Sequence, residues 1–409
     1  MVAYHFPPLA GSSGIQRTLR FVQHLPRLGW RPLVLTTHPR AYERTSNDLN
    51  DDVPTETIVR RAFALDAARH LSLAGRYVGA TARPDRWASW RFDGVRQGMQ
   101  IIRQYKPQAI WSTYPIATAH VIGAELHRRS GLPWIADFRD PMAQEGYPAD
   151  PLTRSQYQQI ESRTLSVAAC STFTTPSAAA EYGRRYPASA NRIHVLENGY
   201  DEESFSDIQS TGVQNPLNPG ALTLLHSGIV YPSERDPTQL MGALRLLHEA
   251  GSIAPGALKV RFRASMAEDL LLRLAGEYGV EAYVEACSPL PYREALHEML
   301  RADALLLLQA SNCNAQIPAK LYEYLRAGRP ILCLTDAAGD TAATLRANGI
   351  TTIAPLDNAE VIAQFLQAFV VARSALPGTV ADASKVLAAS RRGRAEALAR
   401  MLDANCGVF

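Results

Sequence analysis

Within residues 316–330 (QIPAKLYEYLRAGRP) the side chains suit an anion held beside a diol. Pro318 fits the first position of a helix, where its missing N–H costs nothing. The free amides of a first helical turn, together with the positive helix end, form a site for phosphate. Lys320 adds a mobile cation. If Leu321 and Leu325 face the core, Glu323 lies one turn further in, on the side of the strand ends. A carboxylate there can accept two hydrogen bonds from a ribose diol. Gly328 ends the helix, and Pro330 starts a buried strand. Taken alone, these residues equally fit a plain amphipathic helix with a surface acid.

Such a helix must be held against a sheet, and the sequence supplies the sheet. Apolar residues 2–6 read as a strand, short enough to raise an upstream start codon. A turn rich in Pro and Gly follows, then a helix over 15–28 and a strand over 32–36. The pattern recurs as strands at 108–112 and 134–137, helices at 117–129 and 153–168, and short strands at 173–175 and 194–196. Polar, aperiodic residues 206–220 (SDIQSTGVQNPLNPG) read as a linker. A second series has strands at 222–226, 258–263, 282–285, 304–308 and 330–334, with helices at 237–250, 318–327 and 340–348. An Ala/Arg-rich helix over 381–403 closes the chain. The reading is α/β, with two Rossmann-like doubly wound domains facing each other across a cleft. Residues 1–205 form the first domain and 221–380 the second, and 381–409 hold a helix that crosses back to the first.

Composition excludes several classes. The chain has 409 residues, 46% hydrophobic and 20% charged, with a net charge of +3. That balance suits folded domains and argues against a nucleic-acid partner. The five scattered cysteines include no Cys-x-x-Cys pair, which argues against zinc or a disulfide framework and fits a reducing compartment. No apolar run reaches the roughly 18–20 residues of a membrane span, and no signal peptide is recognisable. A cytoplasmic protein is expected. Between Arg60 and Lys106, however, ten bases face only Asp66, Asp85 and Asp93, with Trp87, Trp90 and Phe92 among them. This combination suits peripheral contact with an anionic membrane, at its inner face. It also suits a solvated basic face with aromatics turned inward.

The histidines carry little. His5 and His226 end predicted strands, from which they can reach the cleft. His120 and His127 share a helix face but lie about 10 Å apart along its axis, too far for one metal, so a structural role is read for each. Gly11 and Gly14 lack the dinucleotide fingerprint Gly-x-Gly-x-x-Gly.

The 316–330 segment resembles the donor-binding signature of GT-B glycosyltransferases, most closely the retaining family 4 group. The resemblance covers nearly the whole chain. Residues 4–17 (YHFPPLAGSSGIQR) resemble that family's first strand and glycine-rich loop. Residues 136–141 (ADFRDP) resemble a motif at the end of an N-domain strand. Residues 197–201 (ENGYD) resemble the Asn-Gly turn before the linker. Residues 226–228 (HSG) and 235–237 (RDP) match the opening of the second domain. The resemblance implies that Glu323 holds the ribose of a nucleotide sugar, while Lys320, Arg235 and the amides of Pro318–Leu321 meet the diphosphate alongside Gly228. Gly11 and Gly14 would let N-domain backbone approach the donor's phosphate or sugar, and Arg139 and Asp140 would lie beside the transferred sugar as catalytic residues. No cofactor or metal is implied. The implied activity is transfer of a hexose, with retention, from a nucleotide sugar to a glycan or lipid-linked acceptor in surface polysaccharide synthesis.

Three departures stand out. The first glutamate of the family's pair, eight residues before Glu323, is Ala315. An arginine that often follows the second-domain glycine is Ile229. The usual N-domain histidine has Arg139 nearest its place. Ala315 and Ile229 motivate one alternative, a non-catalytic binding subunit. A sugar-nucleotide epimerase, which shares the fold, is another. It would need acids for proton abstraction, for which the sequence offers Asp137, Asp140 and Glu323.

Overall fold

The computed structural model describes residues 1–12, 14–73, 76–209, 215–372 and 376–407. The chain divides into two units. Unit 1 comprises residues 1–198 with 391–409, and unit 2 comprises residues 199–390. Ser13 and part of the 206–220 segment, residues 210–214, lie outside the described residues, as do the final two residues.

Unit 1 is built on parallel strands β1 (Leu33–Thr37), β2 (Ile58–Ala62), β3 (Ile110–Thr113), β4 (Trp134–Arg139), β5 (Cys170–Phe173) and β6 (Ile193–Val195). Residues 1–3 lie between β1 and β3: Val2 bridges both Leu35 and Ser112. The Val2 amide donates to Trp111 O at 2.7 Å, and the Leu35 amide to Met1 O at 2.8 Å. The first apolar segment therefore occupies the centre of the sheet, although it pairs at too few residues to be a regular strand. The strand read at 173–175 lies earlier, because Thr175 caps the next helix by accepting from the Ala178 amide. β2 carries Arg60 and Arg61 on a half-exposed edge, which hid its period-2 pattern.

Unit 2 has strands β7 (Leu222–Ser227), β8 (Leu258–Arg263), β9 (Val284–Cys287), β10 (Ala304–Leu308), β11 (Ile331–Leu334) and β12 (Ile353–Ala354), in the order β12-β11-β10-β7-β8-β9. All five pairings are parallel. β10 is Ala-Leu-Leu-Leu-Leu and fully buried, as a strand covered on both faces must be. The order reverses direction between β7 and β10. In doubly wound sheets this switch point is where ligands bind, at the carboxyl ends of the strands.

Residues 206–209, read as linker, belong to helix Glu202–Gln209. Phe205 and Ile208 bury its inner face, Asp201 accepts from the Ser204 amide and hydroxyl at its start, and Glu202 pairs with Arg326 at 2.6 Å. The closing helix is also revised. Residues 383–389 form short turns of helix in unit 2, Ser390 is extended, and helix Arg391–Cys406 packs in unit 1. There Leu398 and Leu402 join the cluster of Phe21, Leu25 and Trp111.

Candidate functional site

In unit 2 the β7–β10 switch point gathers the residues of the 316–330 segment. β7 ends in His226-Ser227-Gly228. His226 is fully buried. Its Nδ1 lies 3.0 Å from the Leu306 carbonyl of β10, which can only accept, so Nδ1 carries the proton. Nε2 is left as the acceptor, and the Lys320 ammonium lies 3.3 Å from it. Burial, then the Lys320 charge, holds the His226 pKa well below its ordinary value, so the imidazole is neutral.

Lys320 opens helix Lys320–Ala327. Burial, followed by the charge of Arg235, pushes its pKa down to about 7, while Glu323 acts in the opposite sense. Gly228 makes this placement feasible: its φ is 133°, and a Cβ there would lie 2.4 Å from Lys320 Nζ. The neighbouring Ser227 amide donates to the buried Tyr324 hydroxyl at 2.9 Å, fixing the loop to the helix. Arg235 donates to the Ile229 carbonyl at 2.7 Å and lies 5.1 Å from the Tyr231 ring centre. Its loop is pinned to the one after β10: Ala310 N–H donates to Glu234 O, and Asn312 Nδ2 to Ser233 O. Glu323 is half-buried and accepts from Tyr292 Oη at 3.0 Å. Two cations are thus held close enough to oppose each other's charge at a switch point, which is an arrangement that an anion relieves.

The helix itself starts later than its sequence suggests. Pro318 lies two residues upstream of it, and the Leu321 amide donates to Pro318 O at 2.9 Å. That amide is therefore engaged within the turn, and the Leu321 side chain is core. The cationic character of the site comes from Lys320 and Arg235 more than from a row of free amides. Ala315 is exposed, and Ile229 is 38% exposed.

Unit 1 has its own cluster, at the ends of β3, β4 and the first segment. Asp137 is buried and fully engaged. Arg17 Nε and Nη2 each donate to it at 2.8 Å, and Thr113 and Thr172 hydroxyls donate at 2.7 and 2.8 Å. Desolvation would raise its pKa, but Arg17 and the hydroxyls outweigh that and hold it low. Arg139, two residues on, has a φ of 63°, a conformation that is strained for a residue with a side chain. Its carbonyl is gripped by the Thr174 amide and hydroxyl at 2.7 and 2.9 Å. Its Nη1 donates to Tyr114 O at 3.3 Å, and its Nε is buried without a partner. Burial, only partly offset by Asp140, lowers its pKa. Burial and then Arg139 hold His5 down to about 3, so His5 is neutral beside it. A Cβ on Gly14 would come within 2.7 Å of His5 Nδ1 and 2.8 Å of Arg139 Nη1. At Gly11 a Cβ would meet open space, so there only the φ of 79° requires glycine. Asp140 is exposed and accepts from Thr174 Oγ1 at 3.2 Å.

Comparison with known proteins places this architecture. The family model of the glycosyl transferase 4-like domain matches residues 13–199. Residues 13–199 thus match that family, and the chain as a whole has the GT-B fold. No curated protein matches it by sequence. Among solved structures, Anabaena HepE in complex with UDP-glucose is similar over 98% of this chain and 99% of its own, at TM-score 0.65 and 14% identity. A glycosyltransferase from Rickettsia africae is similar over 100% and 99%, at 0.66 and 10%. A putative UDP-N-acetylglucosamine 2-epimerase from Listeria monocytogenes is similar over 100% and 97%, at 0.58 and 11%. At these identities the likeness concerns the fold, which is shared by transferases and epimerases alike.

Two of the site's contacts had no sequence signal. His226 meets Lys320 across 94 positions and Tyr292 meets Glu323 across 31. His5 meets Arg139 only because the first segment lies beside β3. His120 and His127 are structural neighbours of Trp134: His120 Nδ1 bonds Ser112 Oγ at 2.8 Å, and His127 Nδ1 bonds Leu132 O at 2.7 Å. All five cysteines are free thiols.

Of the bases between Arg60 and Lys106, several are already engaged. Arg86 pairs with Asp66 and Glu43, Arg83 with Asp150, and Arg96 with Asp93. Arg61 and Arg69 donate to backbone carbonyls. Trp90 is fully buried and Trp87 packs on the core, whereas Phe92 is 68% exposed. The tryptophans are therefore core residues rather than an interfacial belt. No helix of the described residues is long and apolar enough to cross a membrane.

Proposed function

We propose that the chain is a glycosyltransferase that takes its sugar from a nucleoside diphosphate donor bound by unit 2. The observation that carries this reading is the pairing of Lys320 with neutral His226 over Gly228, close to Arg235 and one helical turn from Glu323. The cations meet the diphosphate, and their charge offsets that of the leaving group in place of a metal. Glu323, oriented by Tyr292, accepts from the ribose hydroxyls. Arg139 and Asp140 of unit 1 act on the transferred hexose, and unit 1 takes the acceptor, a glycan or a lipid-linked sugar of a surface polysaccharide. Retention through a front-face reaction assisted by the donor phosphate needs no enzyme nucleophile. The protein works in the cytoplasm, against the inner face of the membrane. The UDP-glucose complex of HepE, and the epimerase likeness, make uridine the first base to test.

The test is calorimetric titration of UDP, GDP, ADP and dTDP into the intact chain, Lys320→Ala and Glu323→Ala. One nucleotide bound by the parent and lost by both variants is the expected result. Binding of none would favour a non-catalytic subunit, the reading that Ala315 and Ile229 motivate. An epimerase would interconvert its nucleotide sugar with no acceptor present. Asp137, saturated by Arg17 and two threonines, is not free to serve as its base.

A further inference from the structure

On the helical side of unit 1, two adjoining grooves of about 470 and 290 Å³ run across helices Trp90–Tyr105, Ala117–Ser130 and Pro151–Val167. They share Arg91, Val121 and Arg163. Their arginines fall into two sets. Arg83, Arg96 and Arg129 are paired with Asp150, Asp93 and Glu125. Arg91, Arg103 and Arg163 have no carboxylate partner among the described residues, and Glu125, already shared by two arginines, is the one acid in either lining. Like charges gathered in this way attract an anion.

The floor of the smaller groove adds an independent observation. His120 lines it, is fully buried, and has no partner at Nε2. The tautomer follows from its neighbour. Ser112 Oγ accepts from Trp134 Nε1 at 2.8 Å, and its own proton has His120 Nδ1, 2.8 Å away, as acceptor. Nδ1 is then unprotonated, and Nε2 carries a proton with nothing to receive it. A buried donor left unbonded is unfavourable, so the groove presents an unmet N–H beneath uncompensated guanidinium groups. The larger groove is lined by Phe92, Val95 and Met99, with Arg91 lying 4.6 Å from the exposed Phe92 ring. The exposed Phe63 is tied to the start of the same helix by its amide, which donates to Asp93 at 2.7 Å.

We propose that this groove binds the phosphate of an anionic phospholipid, with Arg91 and Arg163 on the phosphate, the His120 Nε2 proton beneath it, and the acyl side along Phe92, Val95 and Met99. It deepens the membrane reading above, but it moves the contact from the 60–106 segment to a groove that also needs Arg163 and His120. A soluble anion would have no use for the apolar lining, and the apolar lining alone would not gather arginines.

The experiment uses the full chain with vesicles of phosphatidylglycerol and phosphatidylcholine, compared with vesicles of phosphatidylcholine alone, and with the Arg91→Glu/Arg163→Glu variant. Both arginines are exposed, so the variant should fold, and retained nucleotide binding checks that it has. Expected results are binding to the anionic vesicles only, at least a tenfold loss in the variant, and a shift of the His120 imidazole NMR signal on adding a short-chain phosphatidylglycerol. No vesicle binding by the parent would overturn both the groove and the membrane reading. Binding that persists in the variant, or binding with His120 unperturbed, would overturn the groove alone. A His120 shift with free glycerol phosphate as large as with the lipid would overturn the lipid as ligand.

Discussion

Lys320 should make donor binding depend on pH near neutrality, where an exposed lysine would leave it flat. Burial and Arg235 hold its pKa to about 7 in the unliganded protein, against about 10.4 for an exposed lysine. Between these values the folded chain binds fewer protons than the unfolded one. For this group, stability therefore rises with pH through that window, and burial of the charged form costs most below pH 7. A donor diphosphate reverses the balance, because it favours the ammonium. UDP-glucose is the probe, since its diphosphate does not titrate in this range. If the bound ammonium stays protonated, the Kd should weaken roughly tenfold between pH 6 and pH 8, at one pH unit per factor of ten above the pKa. Binding at pH 8 should take up about 0.9 proton, from the same relation. Calorimetry in two buffers of different ionisation enthalpy measures that uptake directly. Lys320→Met should bind weakly and show no uptake. His226→Phe removes the ammonium's acceptor and should move the midpoint to lower pH. A Kd flat from pH 6 to 8, with no proton uptake, would refute the assignment of Lys320 to the diphosphate.

Gly228→Ala places a methyl 2.4 Å from Lys320 Nζ at a φ of 133°. It should displace the lysine from His226, weaken UDP-glucose binding by tenfold or more, and cost about 1–3 kcal/mol in denaturant unfolding through backbone strain. Arg139→Gly relieves the left-handed strain and a buried guanidinium together. Sugar transfer should be abolished with little loss of thermal stability, whereas a large fall in Tm would make Arg139 a structural residue. Asp137→Ala strands Arg17 in the core, which should cost about 3–5 kcal/mol in urea unfolding. Adding Arg17→Met should recover much of that loss, and no recovery would count against a dominant ion pair.

The sequence by itself determined the two α/β series, because the alternating pattern of Leu258–Arg263 and the apolar run Ala304–Leu308 read as strands once helices separate them. It also put Lys320 and Glu323 forward as candidate donor-binding residues, on a segment that by itself fits a plain amphipathic helix as well. The edge strand β2 escaped, because half-exposed arginines break its pattern, and so did the true start of the site helix, where Pro318 and Ala319 form a turn instead. Tertiary structure alone decided what charge the site residues carry. His226 is neutral because it is buried against Leu306, Lys320 is held to about 7 because it is buried with Arg235 close by, and Asp137 is spent on Arg17. Each of these partners is distant in sequence, and a pKa is set by what surrounds a group in space, not by its neighbours along the chain.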